Sequence, residues 1–464
     1  MMFGIMLIGF ILVCTGAIVK LFLSDMLRWA LIITLILGLG LRVYFASNGR
    51  LHDWDERYHA LVAKNMVEEP FKPMLYKHPV LPYDYKSWDM NHIWLHKQPM
   101  TLWIMALSIK IFGNNIWAVR LVSLLMSLIL IYIVHLIGKT LFNQKIGLIS
   151  AYLFAINGFV LEIGSGRAST DHVDLTFLFY ISLATLFAIL GAAKRSWIYT
   201  SLIGMCIGFA ILTKWLPALI VLPIWILACL HYKREWPFIF QSSIVILLLA
   251  IFIALPWQLY IFDKFSTEAK FESEYNRRHI YEVLSTENSY LWYNIKHLRI
   301  KFGDLIYIPL SIFTFFVFRK QLSSIRNKYL LLWIWIFIPL IFFTFVKTKM
   351  PGYILFCAPA LFIVTSYVWY VFAFKFRRNI YYNLLAFIVL VVLPVRYTIE
   401  RAKPFELRFL EHYEETYSKN QIIFNDRFYA ETMFFTDCYA SYPILPTATI
   451  IDSLTKSGFE VVVK

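Results

Sequence analysis

Asp53-Trp54-Asp55-Glu56-Arg57-Tyr58 sets three carboxylates and an arginine just after an apolar run, residues 27–46, that is long enough to cross a bilayer as a helix. Charge is expensive near hydrocarbon, so carboxylates crowded at the mouth of a membrane helix call for a metal, a substrate or a basic partner. A carboxylate in that position can take a proton from a nucleophile or ligate a divalent ion. Taken alone, the segment reads equally well as an interfacial loop of solvated charges.

Four further polar clusters follow. They are His92 with His96-Lys97-Gln98-Pro99; Arg167-Ala168-Ser169-Thr170-Asp171-His172-Val173-Asp174; Glu272, Glu274, Arg277, Arg278 and His279; and Lys347-Thr348-Lys349-Met350-Pro351-Gly352-Tyr353. Each has an ordinary structural reading. Lys347, Lys349 and Lys214 suit helix-end cations with buried stems. Asp171 and Asp174 suit a helix N-terminus, and His172 and His279 suit interfacial histidines. Together, carboxylates, histidines and cations on one face fit a reaction between an anionic lipid-borne group and a nucleophile from outside.

The elements that must position these groups are membrane helices. Of 464 residues 59% are hydrophobic and only 16% charged, and apolar runs near 20 residues recur throughout, so the fold class is an all-α polytopic membrane protein. Twelve spans are expected, at 3–19, 27–46, 116–138, 146–164, 173–192, 197–213, 215–231, 239–261, 302–318, 329–346, 352–373 and 380–397. The first lacks a basic start and a cleavage site, and reads as a retained helix. The stretch 99–115 is apolar, but spanning there would break the alternation of sides, so it is expected as a helix in the outer interface. The five cysteines are scattered without metal spacing and read as small core residues.

Charge sets the orientation. Alternate connections carry Lys20, Arg28, Lys139, Lys145, Lys194, Arg195, Lys233, Arg234, Arg319, Lys320, Arg326, Lys328, Lys375, Arg377 and Arg378 against only Asp25 and Glu235. The long segments 47–100 and 262–300 balance acids with bases. The basic turns are therefore cytoplasmic and the long segments outside. The net charge of +15 is mostly this signal and gives no reason to invoke nucleic acid. Residues 1–397 read as one membrane domain with outer loops 47–115 and 262–300. Residues 398–464 read as a small outer α/β module, with a strand at 421–424, a helix near 451–456 and a closing strand at 461–463.

The order of the polar motifs resembles one family. Asp55-Glu56-Arg57-Tyr58, Lys97-Gln98-Pro99, Ala168-Ser169-Thr170-Asp171, Thr213-Lys214, Pro256-Trp257 and Thr348-Lys349-Met350-Pro351-Gly352-Tyr353 resemble the GT-C glycosyltransferases of the protein O-mannosyltransferase type, over residues 27–397. The bacterial branch with the lipid A aminoarabinose transferase is the most similar. The resemblance implies an inverting transferase using a polyprenyl-phosphate sugar donor and a lipid, glycan or protein acceptor. It also implies a bacterial inner membrane, with the site facing the periplasm.

The resemblance further implies Asp55 as catalytic base, with Glu56, which would orient Arg57 or a metal, and Asp171 as the other catalytic residues of the cavity. It assigns the donor phosphate to Lys97, Arg278 with Arg277 as alternate, and Tyr353, with Lys349 as a further cation. Two departures stand out. Lys-Gln-Pro replaces Lys-Pro-Pro, and His96 stands where the aminoarabinose enzyme has a metal-ligating Glu. Two readings of His96 are open: a ligand for zinc or manganese, with Asp55 and either His92 or a residue of the segment 262–300, or a hydrogen-bonding interfacial residue beside Lys97. The alternative function is a transporter or flippase for a lipid-linked or anionic substrate, against which stand the absence of an internal repeat and of paired charges at mid-membrane.

Overall fold

The computed structural model describes residues 2–168, 172–283, 290–319, 324–375 and 417–464. In chain order the helices are α1 (Met2–Leu23), α2 (Leu27–Ala46), α3 (Asp55–Met66), α4 (Pro99–Phe112), α5 (Ile116–Leu141), α6 (Gln144–Ile156), α7 (Gly158–Gly164), α8 (His172–Lys194), α9 (Trp197–Lys214), α10 (Val221–His231), α11 (Trp236–Lys264), α12 (Ser266–Tyr281), α13 (Tyr293–Phe302), α14 (Tyr307–Arg319), α15 (Ser324–Phe345) and α16 (Ala358–Lys375). Among the described residues, eight helical segments are long and apolar enough to span a membrane, or ten if two bent pairs each count as one. The chain is an integral membrane protein. The span expected at 380–397 lies outside the described residues.

Local chemistry explains where the expected spans break. Asn157 interrupts 146–164 because its side chain accepts the Val160 N–H at 3.0 Å, ending α6 and starting α7 with a bend of 57°. Its amide also donates to the Lys301 carbonyl at 2.8 Å, tying the break to α13. Gly303, at φ +118°, turns α13 into α14 by 111°, a conformation that only glycine adopts without strain. The run 215–231 opens as a 3-10 turn, Leu216–Ile220, after Trp215 takes a left-handed φ of 65°. The stretch 99–115 forms the 14-residue α4, with Pro99 at its first position, where a missing N–H costs nothing.

The C-terminal module is a three-stranded parallel sheet, order β2-β1-β3, of β1 (Gln421–Phe424), β2 (Ala440–Ser441) and β3 (Glu460–Val463). Helix α17 (Tyr429–Phe435) follows β1, and α18 (Ala448–Lys456) precedes β3. Ile422 pairs with Ala440 on one side and Val461 on the other. Ile422, Ile423 and Phe424 are wholly buried, as a central parallel strand requires. The expected strands and final helix are present. The two-residue β2 and seven-residue α17 are too short to leave a periodic signal.

One apolar core unites most of the spans. A second joins α3 and α4 to the module through Leu61, Leu102, Phe424, Phe434 and Tyr442. The Lys64 ammonium of α3 donates to the carbonyls of Met433, Phe434 and Thr436 at 2.8–3.0 Å, capping the C-terminal end of α17. The Tyr58 and Tyr429 hydroxyls lie 2.8 Å apart, and Arg57 faces the buried Glu431 at 3.6 Å. The module is thus fastened to the helix that begins at Asp55.

Glu431 makes that fastening pH-dependent. Burial raises its carboxyl to about 7, outweighing the attraction of Arg57. The folded state then holds a proton that the unfolded chain has already lost. Stability from this group is greatest below the ordinary carboxylate range and is lost as pH rises to about 7, at roughly 1.4 kcal/mol per unit. The thermal unfolding difference between wild type and Glu431→Gln should therefore grow between pH 5 and 7.5. A difference independent of pH would show that Glu431 stays ionised.

Candidate functional site

Asp55 and Glu56 open α3, where the helix dipole favours carboxylates, but they face different surroundings. Asp55 Oδ2 lies 3.3 Å from the Lys97 ammonium, and the two side chains keep 22% and 26% of their surface exposed, so the pair is open to a ligand. Glu56 is fully buried. Arg120 of α5 grips it with two bonds, Nε to Oε1 at 2.6 Å and Nη2 to Oε2 at 2.8 Å. His172 Nε2 lies 3.1 Å from Oε1, and the His52 backbone N–H donates to Oε2 at 2.7 Å. Burial alone would raise the Glu56 carboxyl, but Arg120 and then His172 hold it below its ordinary value. Gly166 lies so close that a Cβ there would collide with this carboxylate.

Arg120 also donates to the carbonyls of Ala46, at 2.9 Å, of Asn48, and of Arg50, at 2.6 Å, so one guanidinium binds both the chain leaving α2 and the base of α3. The motif reading passed over this residue. Its signal was an arginine inside an apolar run, a position that normally marks a buried partner.

His96, beside Lys97, faces Glu272 of α12, with Nδ1 3.5 Å from Oε2. The rings of Trp88, Trp94 and Tyr275 surround it. His96 Nδ1, Glu272 Oε2 and His279 Nε2 are all buried without a hydrogen-bond partner. Burial, then His96 and Lys97, lower His279 to about 4, so its imidazole is neutral. Burial raises the Tyr275 phenol, with Glu272 adding to the rise and Lys97 and Arg278 opposing it, which puts Arg278 within electrostatic reach of the same place. Arg278 pairs with Glu282 at 2.7 Å and Arg277 with Glu274, both on the exposed side of α12. Among the described residues no three His, Cys, Asp or Glu side chains form a metal-binding group.

The late motif joins this region through its backbone, since the Lys347 and Thr348 N–H groups each donate at 3.1 Å to the carbonyls of Ile280 and His279. Tyr353 stacks on Phe343 at 4.4 Å, and the Lys214 ammonium sits 5.2 Å over its ring. Lys214 in turn pairs with the buried Asp174 of α8, against which Gly352 packs too closely for any side chain. Lys349 is turned away, donating to the carbonyls of Phe343 at 2.9 Å and of Thr344 and Val346, which uses all three of its donors to cap α15. Asp171 lies outside the described residues.

The structure thus unites Asp55 with Lys97, His96 with Glu272, and Tyr353 with Lys214 and Asp174. It keeps Asp55 and His96 with separate partners. Sequence reasoning placed a residue of the segment 262–300 beside His96 without choosing Glu272, and missed Arg120 as partner to Glu56, because neither pairing is local.

Known proteins resemble this chain in sequence and in fold. Residues 96–260 match the family described as dolichyl-phosphate-mannose-protein mannosyltransferase. An undecaprenyl phosphate-alpha-4-amino-4-deoxy-L-arabinose arabinosyl transferase of Pseudomonas fluorescens is 25% identical over 346 residues, 71% of this chain but 58% of that protein, so the chain spans under two thirds of that relative's length. The crystal structure of ArnT from Cupriavidus metallidurans bound to undecaprenyl phosphate superposes with a TM-score of 0.63 at 14% identity, over 96% of this chain and 90% of that one. The Archaeoglobus fulgidus oligosaccharyltransferase in complex with Zn and sulfate gives a TM-score of 0.54 at 14% identity, over 89% of this chain and 62% of that one. The chain thus has the fold of these solved membrane glycosyltransferases, and its residues 96–260 are similar to the mannosyltransferase family.

Proposed function

We propose that the chain is an inverting glycosyltransferase that moves a sugar from a polyprenyl-phosphate donor to a lipid, glycan or protein acceptor. On this reading it sits in a bacterial inner membrane with its site open to the periplasm. Residues 1–397 are the transferase body and 398–464 the outer module. The observation that carries the proposal is the accessible Asp55–Lys97 pair, a base and a phosphate-binding cation in contact. The transporter or flippase reading has no support in the relatives matched.

The pairing suggests how the two groups become active. A donor phosphate competes with Asp55 for Lys97, and as the ammonium turns to the phosphate the carboxylate is freed. An acceptor O–H or N–H then attacks the anomeric carbon from the face opposite the phosphate. The bond from that carbon to the phosphate oxygen breaks, its electron pair leaves on the phosphate, and the acceptor proton passes to Asp55. Lys97, with Arg278 or Arg277 and Tyr353, stabilises the departing charge beside low-dielectric lipid. Glu56 and Arg120 touch none of the reacting atoms and act by positioning Asp55, while Asp171 belongs to the same proposed cavity. The purified protein should release free polyprenyl phosphate from a polyprenyl-phosphate sugar when native envelope extract is added as acceptor. No release with any such donor would overturn the reading.

The donor phosphate supplies a second test. Lys97→Met, Arg278→Met and Tyr353→Phe should each weaken donor binding roughly 10–100-fold, the loss expected for a charge-assisted hydrogen bond. Turnover should fall as well. Unchanged donor affinity in all three would move the phosphate site elsewhere.

A divalent ion, zinc or manganese, would be held by His96 and Glu272, whose facing atoms are buried without hydrogen bonds, and would need water or substrate oxygens for its remaining positions, since no third His, Cys, Asp or Glu among the described residues completes the group. Asp55, engaged by Lys97, is the less suited partner. Such an ion would supply positive charge beside the donor phosphate. Metal content measured by mass spectrometry should be near one ion per chain in wild type and His96→Glu, and should fall severalfold in His96→Ala. Equal content in all three would leave His96 as an interfacial residue.

A further inference from the structure

Away from the Asp55 site, the outer segment 76–90 and the C-terminal module enclose a cavity of about 190 Å³. Tyr76, Pro82, Tyr83, Asp84, Ser87 and Tyr442 contribute to its lining. The space holds roughly six waters, the bulk of a single sugar ring, and is below the size of drug-like sites or of a prenyl chain. Tyr76 is 1% exposed and stacks on Tyr442 at 4.8 Å, yet its hydroxyl has no hydrogen-bond partner. A buried tyrosine hydroxyl normally finds one, and this one is sealed off behind the lining, so it holds the wall of the cavity rather than facing its contents.

The rest of the lining has matching chemistry. Tyr83 is 43% exposed and presents a ring at the mouth. One Asp84 oxygen accepts the Lys86 N–H at 2.9 Å, and Asp84 remains exposed. Ser87 donates to Asp89 at 2.8 Å and keeps acceptor capacity. Aromatic faces pack on the C–H surface of a sugar, while a carboxylate accepts from its hydroxyls or from an ammonium substituent. Acidic lining disfavours an anionic ligand. Trp88, the chain neighbour of the lining residue Ser87, packs on Tyr58 at 4.8 Å and on His96 at 5.8 Å, which connects the cavity wall to the region of Asp55 and Lys97.

We propose that this cavity is a carbohydrate subsite that holds one neutral or amino-bearing pyranose ring of the acceptor, with Tyr83 and Asp84 as its recognition groups. The assignment to the acceptor rests on the transferase reading, whereas sugar binding by the cavity does not. The test uses the full chain in detergent, without donor, and saturation-transfer NMR with methyl β-D-glucopyranoside and methyl 2-amino-2-deoxy-β-D-glucopyranoside, against methyl glucuronide and ethylene glycol as controls. Saturable transfer is expected from at least one of the first two and from neither control. Tyr83→Ala and Asp84→Asn should each weaken it at least fivefold, whereas Tyr76→Phe, which removes only the sealed hydroxyl, should leave it unchanged. Release of polyprenyl phosphate is assayed separately, so its failure beside intact sugar binding would remove only the link to the acceptor. Absence of saturable transfer, or transfer unchanged in both Tyr83→Ala and Asp84→Asn, would overturn the subsite.

Discussion

Asp55→Asn is expected to lower sugar transfer about 10²–10⁴-fold, the usual contribution of a positioned base, without loss of donor affinity. The substitution keeps the shape of the side chain and removes its proton-accepting charge. It also releases Lys97 from the ion pair at 3.3 Å, so the ammonium no longer has to leave a carboxylate to meet the phosphate. Donor affinity should therefore stay equal or tighten, which separates this variant from Lys97→Met, where affinity falls. Glu56→Gln serves as a control of different origin. It disturbs a buried pair with Arg120 and should lower stability together with activity. Turnover of Asp55→Asn within a few-fold of wild type would remove Asp55 as the base.

The contrast between these neighbouring carboxylates marks the limit of what the sequence conveys. Their proximity to a span and the later Lys97 were legible, because membrane cost and motif order both bear on them. That Asp55 is open and Glu56 sealed depends on Arg120 and His172, which lie 64 and 116 residues away in the chain. The spans were legible from hydropathy alone, whereas the breaks at Asn157 and Gly303 depend on a cap and a left-handed turn that hydropathy does not register. The module was visible as a short α/β piece. Its grip on α3 through Lys64, Tyr429 and Glu431 was not, since nothing in a single strand or helix pattern says which face of the membrane body it meets.

Arg120→Ala is expected to destabilise the chain by about 3–5 kcal/mol, the cost of stranding one partner of a buried ion pair. Glu56 has no exposed surface, and His172 together with one backbone N–H would be left to hold it. The carbonyls of Ala46, Asn48 and Arg50 would lose their donor at the same time, loosening the segment that carries Asp55 toward Lys97. Removing both charges tests the cause. Glu56→Gln combined with Arg120→Met replaces the pair by neutral groups of similar size and should unfold closer to wild type than Arg120→Ala does, a coupling that a double-mutant cycle measures directly. Transfer should remain low in the double variant, because the three carbonyls still lack their donor. If Arg120→Ala unfolds within about 1 kcal/mol of wild type, the level of an exposed pair, Glu56 is not held by Arg120 and the support for Asp55 lies elsewhere.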